Sequence, residues 1–435
     1  MFFKRKPRPE EPSPPEPESE EDESDDGDED DLPPESDAAD AAIWRERLAV
    51  IPGGASTGSK RAEALYGAEG DGPTHFVSAA GCELTTREGD RLLDCTMALG
   101  AVALGYAEPA VTDAVVRAAA AGHVAGLSHV REVVVAERLC DVVPCAEAVR
   151  FLKTGAEGVA AAIRVARTYT GRSHVIASGY FGWLDWSSDA EGVPPAARQD
   201  VTMVPFDDRS ALDRAARDAG DRLAAIVIEP VVERLPSEDW IRDARTICDR
   251  AGAVLIFDEV KTGFRLRTGG YQELVKIEPD IAVFGKALAN GYPLAAVVGR
   301  AELMDAARRT WISSTLAGEA TALAAAEAVL AWHERAEVCE GLWETGAEMR
   351  AIVGRAIEAS GIDGVELAGI DPMWLLRFDD PARETRFLEL ALDEGVLFKR
   401  GAYNFPCLAH DEDALTAIEH AASTAFVALR LEAGR

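Results

Sequence analysis

The stretch Ala253-Val254-Leu255-Ile256-Phe257-Asp258 constrains the fold of this chain more than any other. A short, unbroken apolar run ending in an acid reads as a strand buried on both faces, the pattern of a parallel sheet covered by helices. The carboxylate then arrives at the C-terminal end of the strand, the edge where open α/β sheets bind ligands. Ile281-Ala282-Val283-Phe284-Gly285 is a second such run, and it delivers Lys286 to a similar edge, 28 positions after Asp258.

An acid and a lysine so placed suit pyridoxal phosphate, held as a Schiff base on the lysine with its ring nitrogen kept protonated by the aspartate. Taken alone, the two features also fit an ordinary α/β protein, in which a strand ends in Asp-Glu and the following lysine is a solvated charge. The rest of the chain has to decide between them.

At 435 residues the chain is long enough for a large core and two domains, and its 47% hydrophobic content is that of a globular protein. The formal charge is −31, but residues 1–40 hold 17 acidic and 4 basic residues, so 13 of those charges sit there. From Pro7 to about Asp40 the sequence is Pro, Glu, Asp and Ser with almost no large apolar side chain, and it is expected to be disordered. It reads as a solubility tail, with docking to a basic partner as the alternative. An acidic body gives no footprint for nucleic acid or for an anionic membrane. Seven scattered cysteines without a Cys-x-x-Cys pair argue against a disulfide framework and against a metal site. With neither an apolar signal core nor a membrane-length run, the expected location is a reducing cytoplasm.

Along the chain, Phe76–Ala80 and Glu83–Thr86 read as a hairpin, and helical stripes follow at Pro109–Ala121 and Arg131–Val142. Strand 149–152 leads through Lys153-Thr154-Gly155-Ala156-Glu157-Gly158 into a helical run from Val159 to Tyr169. That arrangement offers an anion site at a helix N-terminus, or only a cap. Strand 174–178 ends in Gly179-Tyr180-Phe181-Gly182-Trp183, aromatics that either pack or lie against a flat cofactor. Strand 224–228 delivers Glu229. The Gly/Ser loop 51–61 ends in Lys60 and Arg61, cations able to pair with a carboxylate. From about Glu334, longer helices around Val365–Ala368, Met373–Phe378 and Val396–Lys399 indicate a small α+β domain.

Phe151-Leu152-Lys153-Thr154-Gly155-Ala156-Glu157, Gly179-Tyr180-Phe181-Gly182, Ile228-Glu229-Pro230-Val231, Phe257-Asp258-Glu259-Val260-Lys261-Thr262-Gly263-Phe264, Gly285-Lys286 and Ser314-Thr315-Leu316-Ala317-Gly318 together resemble the class III aminotransferases. Within that group the chain is most similar to the glutamate-1-semialdehyde 2,1-aminomutases and their relatives, over roughly residues 45–430. The resemblance implies an α/β fold type I architecture: a large domain with a mostly parallel seven-stranded sheet, a small α+β domain drawn from both chain ends, and a homodimer with shared active sites. In those terms residues 1–40 are the tail, 41–90 the N-terminal part of the small domain, 91–332 the large cofactor domain and 333–435 the C-terminal small domain.

The resemblance also implies roles. Lys286 carries pyridoxal phosphate, Asp258 pairs with its ring nitrogen, and Glu229 sits beside the lysine and the substrate amine. Tyr180 and Val260 sandwich the ring, with Phe181 beside them, and Thr154, Gly155 and Ala156 hold the phosphate. Ser314 and Thr315 reach the phosphate of the neighbouring subunit, and Lys60, Arg61, Ser128 and Trp183 face the substrate. Three stretches depart from the family pattern. Ala156 and Gly158 stand in a loop that usually reads Ser-Gly-Thr-Glu-Ala, Phe181 replaces the histidine of Tyr-His-Gly, and Ser314–Glu319 replaces Gly-Thr-Leu-Ser-Gly-Asn. The expected activity is amino transfer from a donor to a carbonyl acceptor. The alternatives are intramolecular transfer, as in the mutase, and a fold kept for binding or assembly.

Overall fold

The computed structural model describes residues 43–433 apart from 45 and 69, so the acidic segment 1–40 lies outside the described residues. Its centre is a seven-stranded sheet built from β4 (Ala148–Leu152), β5 (His174–Ser178), β6 (Val201–Met203), β7 (Leu223–Ile228), β8 (Val254–Asp258), β9 (Ile281–Phe284) and β10 (Ala295–Gly299). The strand order is β4-β10-β9-β8-β7-β5-β6. All pairings are parallel except those of β10, which runs antiparallel to both β4 and β9.

The apolar runs are continuous because both faces of the sheet are covered. In β8, Val254 and Ile256 enter one apolar cluster with Val159, Ala162 and Ala166 of the helix Gly155–Thr170, while Leu255 and Phe257 enter another with Leu212, Trp240 and Ile241. Each such side chain contributes about 1.5–3 kcal/mol of burial, which leaves no face of these strands for polar residues. Gly158 lets the helix approach: a Cβ there would lie 2.6 Å from Val283 Cγ1.

A second sheet joins distant parts of the chain. Strands β1 (Phe76–Ala80), β2 (Glu83–Thr86) and β3 (Arg91–Asp94) are antiparallel neighbours, and β13 (Val396–Leu397) adds in parallel to β3. Between them in sequence, β11 (Val365–Ile370) and β12 (Met373–Phe378) form a separate hairpin. The apolar segments near 365, 373 and 396 are thus strands, and helices Val338–Ser360, Pro381–Asp393 and Glu412–Ala433 surround them.

The fully buried guanidinium of Arg265 fastens the parts together. It donates to Gly100 O and Val102 O at 3.2 Å and to Pro406 O at 2.9 Å, and it lies 4.9 Å from the Phe405 ring centre. The carbonyls of Gly100 and Val102 that it holds follow the segment Met97-Ala98-Leu99, whose three residues all take left-handed φ values of 42°, 49° and 60°.

Candidate active site

Sheet register brings the candidate residues to one edge. Ile228 pairs with Phe257, and Asp258 pairs with Val283, so Glu229, Asp258 and Lys286 all emerge at the C-terminal ends of three adjacent parallel strands. Lys286 opens a short 3-10 turn after Gly285 with φ 50°, a left-handed conformation rare for a residue with a side chain. Strain of this kind persists only where the surroundings impose it.

Asp258 is 6% exposed, and Val260 N–H donates to its Oδ1 at 3.1 Å. Burial, followed by the charge of Glu229, pushes its carboxyl up to about 7. Removal from water and the neighbouring Lys261 ammonium pull Lys286 down to about 8, against the opposing charges of Asp258 and Glu229. The two groups feel each other's charge, and each has lost some of its preference for the ionised form.

Glu229 is held from two sides. Tyr180 N–H donates to Oε2 at 2.9 Å, and the Lys261 ammonium meets Oε1 at 2.6 Å. This is possible because position 179 is glycine: a Cβ there would lie 2.3 Å from Glu229 Cβ, and its φ is 131°. Lys261 also lies 4.4 Å from the ring centre of Tyr403, whose hydroxyl accepts from Glu233 N–H at 2.7 Å.

The phosphate candidates lie at the start of the helix Gly155–Thr170. Thr154 and Glu157 form a capping box: Thr154 Oγ1 accepts from Glu157 N–H, and the Glu157 carboxylate accepts from the N–H groups of Lys153 and Thr154. Thr154 keeps an O–H to donate, and the N–H groups of Gly155 and Ala156 have no recorded acceptor among the described residues. Val260 packs over this start. A Cβ on Gly155 would lie 2.8 Å from Val260 Cγ2, and one on Gly285 would lie 3.5 Å from Val260 Cγ1.

Around this floor, the aromatic loop divides. Tyr180 and Trp183 are 74% and 76% exposed, whereas Phe181 is buried with its ring centre 5.4 Å from Trp186. Phe181 packs into the apolar cluster beside the helix Gly155–Thr170, while Tyr180 stands exposed.

Ser128, Ser314 and Thr315 do come together, on the wall of a cavity of about 950 Å³ to which Lys286 and Asp258 contribute nothing. Lys60 lines a separate cavity of about 440 Å³ beside Asp94 and Tyr106. Arg61 folds back on its own loop, where a Cβ on Gly53 would lie 2.6 Å from its Nε. Lys261 and Tyr403 belong to the site although the sequence reading assigned them no role. Position 261, directly after Val260, was a signal for the lysine; Tyr403 had none.

The description of the family whose model matches residues 66–408 is Aminotransferase class-III. The chain is 29% identical over 398 residues to a 3-aminobutyryl-CoA aminotransferase of Cloacimonas acidaminovorans, covering 88% of this chain and 95% of the relative. It is 32% identical over 432 residues to a glutamate-1-semialdehyde 2,1-aminomutase of Myxococcus xanthus, covering 90% and 98%. Among solved structures, the FumI protein of Sphingopyxis sp. MTA144 in its PLP internal aldimine form superposes with a TM-score of 0.86 at 26% identity, covering 90% of this chain and 97% of that one. A transaminase with PLP bound superposes at 0.83 and 25% identity, covering 91% and 99%. The fold is that of the fold type I transferases, an enzyme class. This chain belongs to the class III aminotransferases.

Proposed function

We propose that this chain carries pyridoxal phosphate on Lys286 and moves an amino group from a donor to a carbonyl acceptor in two half-reactions. One observation carries the reading: Asp258 and Lys286 stand at the same edge of adjacent buried strands, within range of each other's charge. Two further features fit the group. Gly155 leaves a slot between Val260 and a helix start with open N–H groups, and Ser178 Oγ, buried at the end of β5, has no partner among the described residues.

When bound, the cofactor supplies a sink for the electron pair left on the substrate carbon as it loses its proton. Asp258 holds a proton on the ring nitrogen, and beside that cation its carboxyl returns to the ionised form. The Lys286 amine takes and returns the substrate proton, and its lowered pKa gives a useful neutral fraction near pH 7. Val260 and the exposed ring of Tyr180 bracket the ring, while Thr154, Gly155 and Ala156 bind the phosphate.

The working unit of this proposal is a homodimer in the cytoplasm. Leu127, Val130, Trp311 and Leu316 stand exposed around the cavity that holds Ser128, Ser314 and Thr315, an apolar rim that a second copy would cover. There Ser314 and Thr315 serve the partner's phosphate. All seven cysteines are free, which suits a reducing compartment, and no helix among the described residues is long and apolar enough to cross a membrane. Trp183 is taken as a substrate contact, and its exposed indole favours an acceptor larger or less polar than glutamate semialdehyde; Lys60, on the separate cavity beside Asp94 and Tyr106, gains no such support. The relatives named as mutases support intramolecular transfer as the second reading.

Borohydride reduction followed by peptide mass spectrometry should place the cofactor on Lys286, and a label on Lys153, Lys261 or Lys276 overturns the assignment. In protein that has not been reduced, a competent donor alone should release oxo product stoichiometrically. Turnover of glutamate-1-semialdehyde to 5-aminolevulinate at about 1 per second or faster establishes the mutase instead.

A further inference from the structure

The site holds a second lysine that the chemistry above does not use. Lys261 follows Val260 in the loop that delivers Asp258, and its side chain is only 11% exposed. Burial alone would lower its pKa, but the Glu229 carboxylate, then Tyr403, outweigh that and raise it, so Lys261 is an ammonium. Four ionisable groups thus share the strand ends: Asp258 from β8, Glu229 from β7, Lys261 from the loop after β8, and Lys286 from the turn after β9. Arg265 stands behind them, and Tyr403 covers Lys261 from the C-terminal part of the chain.

The pairing among the four is selective. The recorded ion pair joins Lys261 to Glu229 at 2.6 Å, and the second oxygen of Glu229 is taken by Tyr180 N–H at 2.9 Å. Both oxygens of that carboxylate are therefore occupied. Asp258 accepts from Val260 N–H at 3.1 Å. Lys286 is left without a recorded ion-pair partner among the described residues, in a site with two acids close by.

We propose that Lys261 is a positioning residue that occupies Glu229 and so denies Lys286 an acid that would hold it as an ammonium. Without the Lys261 charge, Glu229 becomes an unneutralised buried carboxylate, and Lys286 is a cation already within reach of its charge. Pairing of the two would suppress the free amine needed to attach the cofactor and to move the substrate proton. The direction agrees with the electrostatics, in which the Lys261 charge is the largest influence on Lys286 after removal from water. Tyr403, its hydroxyl fixed by the Glu233 N–H, packs its ring against the ammonium from the other side.

This inference rests on Lys286 being the reactive lysine, and its test does not use turnover. In the full-length protein freed of cofactor, competitive labelling with acetic anhydride, read by mass spectrometry at Lys286 across pH, gives the pH of half-reactivity. Lys261→Met should raise that value by about one unit, the effect of an opposite charge at close range. Lys261→Arg should leave it near wild type. Glu229→Gln should move it down, and the double variant Glu229→Gln/Lys261→Met should return it towards wild type. A structural role alone predicts no such reversal. An unchanged value in Lys261→Met, or a double variant shifted as far as that single one, overturns the proposal. Should Lys261→Met not fold, a Glu229→Gln value that is unchanged or raised overturns it equally. Failure of the Lys286 assignment itself appears separately, as a cofactor label on another lysine.

Discussion

Two regions of this molecule treat water in opposite ways. At the ends of β7 and β8, buried carboxylates are matched, with Glu229 taken by Lys261 and by Tyr180 N–H, and Asp258 by Val260 N–H. Along the rim from 122 to 133 and from 311 to 318, large apolar side chains stand in water, Leu127 at 87% and Trp311 at 84% exposed. Buried charge without a partner and exposed apolar surface without a cover both cost free energy. One chain has resolved the first cost within itself and left the second open. The difference separates a chemical floor whose charges are answered within one chain from a rim that the proposed second copy would cover.

The hardest way to break the floor is Asp258→Asn. The amide keeps the shape of the carboxylate, so the cofactor stays bound, but turnover should fall on the order of a hundredfold or more because the ring proton is no longer held. Steady-state rates set against spectroscopic cofactor content check this, and activity within a few-fold of wild type removes Asp258 from the reaction.

The rim is tested by Leu127→Asp, which places a charge where the proposed interface is apolar. Dimer dissociation should strengthen about tenfold or more, with loss of cofactor affinity at dilution. Sedimentation that gives the same mass for variant and wild type at every concentration speaks against the interface.

A smaller effect sharpens the contrast through pH. Burial first, then the charge of Glu229, holds Asp258 at about 7, and burial holds Glu259 at about 7 as well. In the cofactor-free protein both bind protons in the folded state that the unfolded chain has released above about pH 4. Stability from these groups is therefore lost as pH rises from about 4 to about 7. A bound pyridinium offsets the part due to Asp258, so the difference in Tm between loaded and cofactor-free protein should widen over that window. Paired melts at about pH 5 and pH 7 read it, and a constant difference counts against the charge argument. The smallest effect is expected from removing residues 1–40: dimer mass, cofactor content and turnover should stay within about twofold, since a segment without apolar anchors adds little to a folded core.

Much of the floor was legible in the sequence because its elements are signalled by unbroken apolar runs. β7, β8 and β9 are buried on both faces, and their terminal residues Glu229, Asp258 and the nearby Lys286 follow from where the runs stop. Direction within loops was not legible. Three aromatics near 180 look alike in a sequence, yet in the loop after β5 Tyr180 stands exposed while Phe181 is buried. Lys261 carries no periodic signal that tells a solvated charge from an enclosed one, and Tyr403 reaches it across the chain through packing alone. At two residues, β13 is too short for any pattern; its partner β3 defines it.

That pairing has a temporal consequence. A ribosome delivers β3 early and β13 only after Leu397 has been synthesised, so one border of the small sheet waits open while the rest of the protein is being made. Leu93 N–H and Cys95 N–H, which in the finished molecule donate to Gly395 O at 2.9 Å and Leu397 O at 3.0 Å, remain available throughout that interval. An exposed strand border is a template for foreign strands. Nascent chains that stop short of Gly395 should therefore be the aggregation-prone species of this protein, and chaperone demand should fall once β13 has left the exit tunnel.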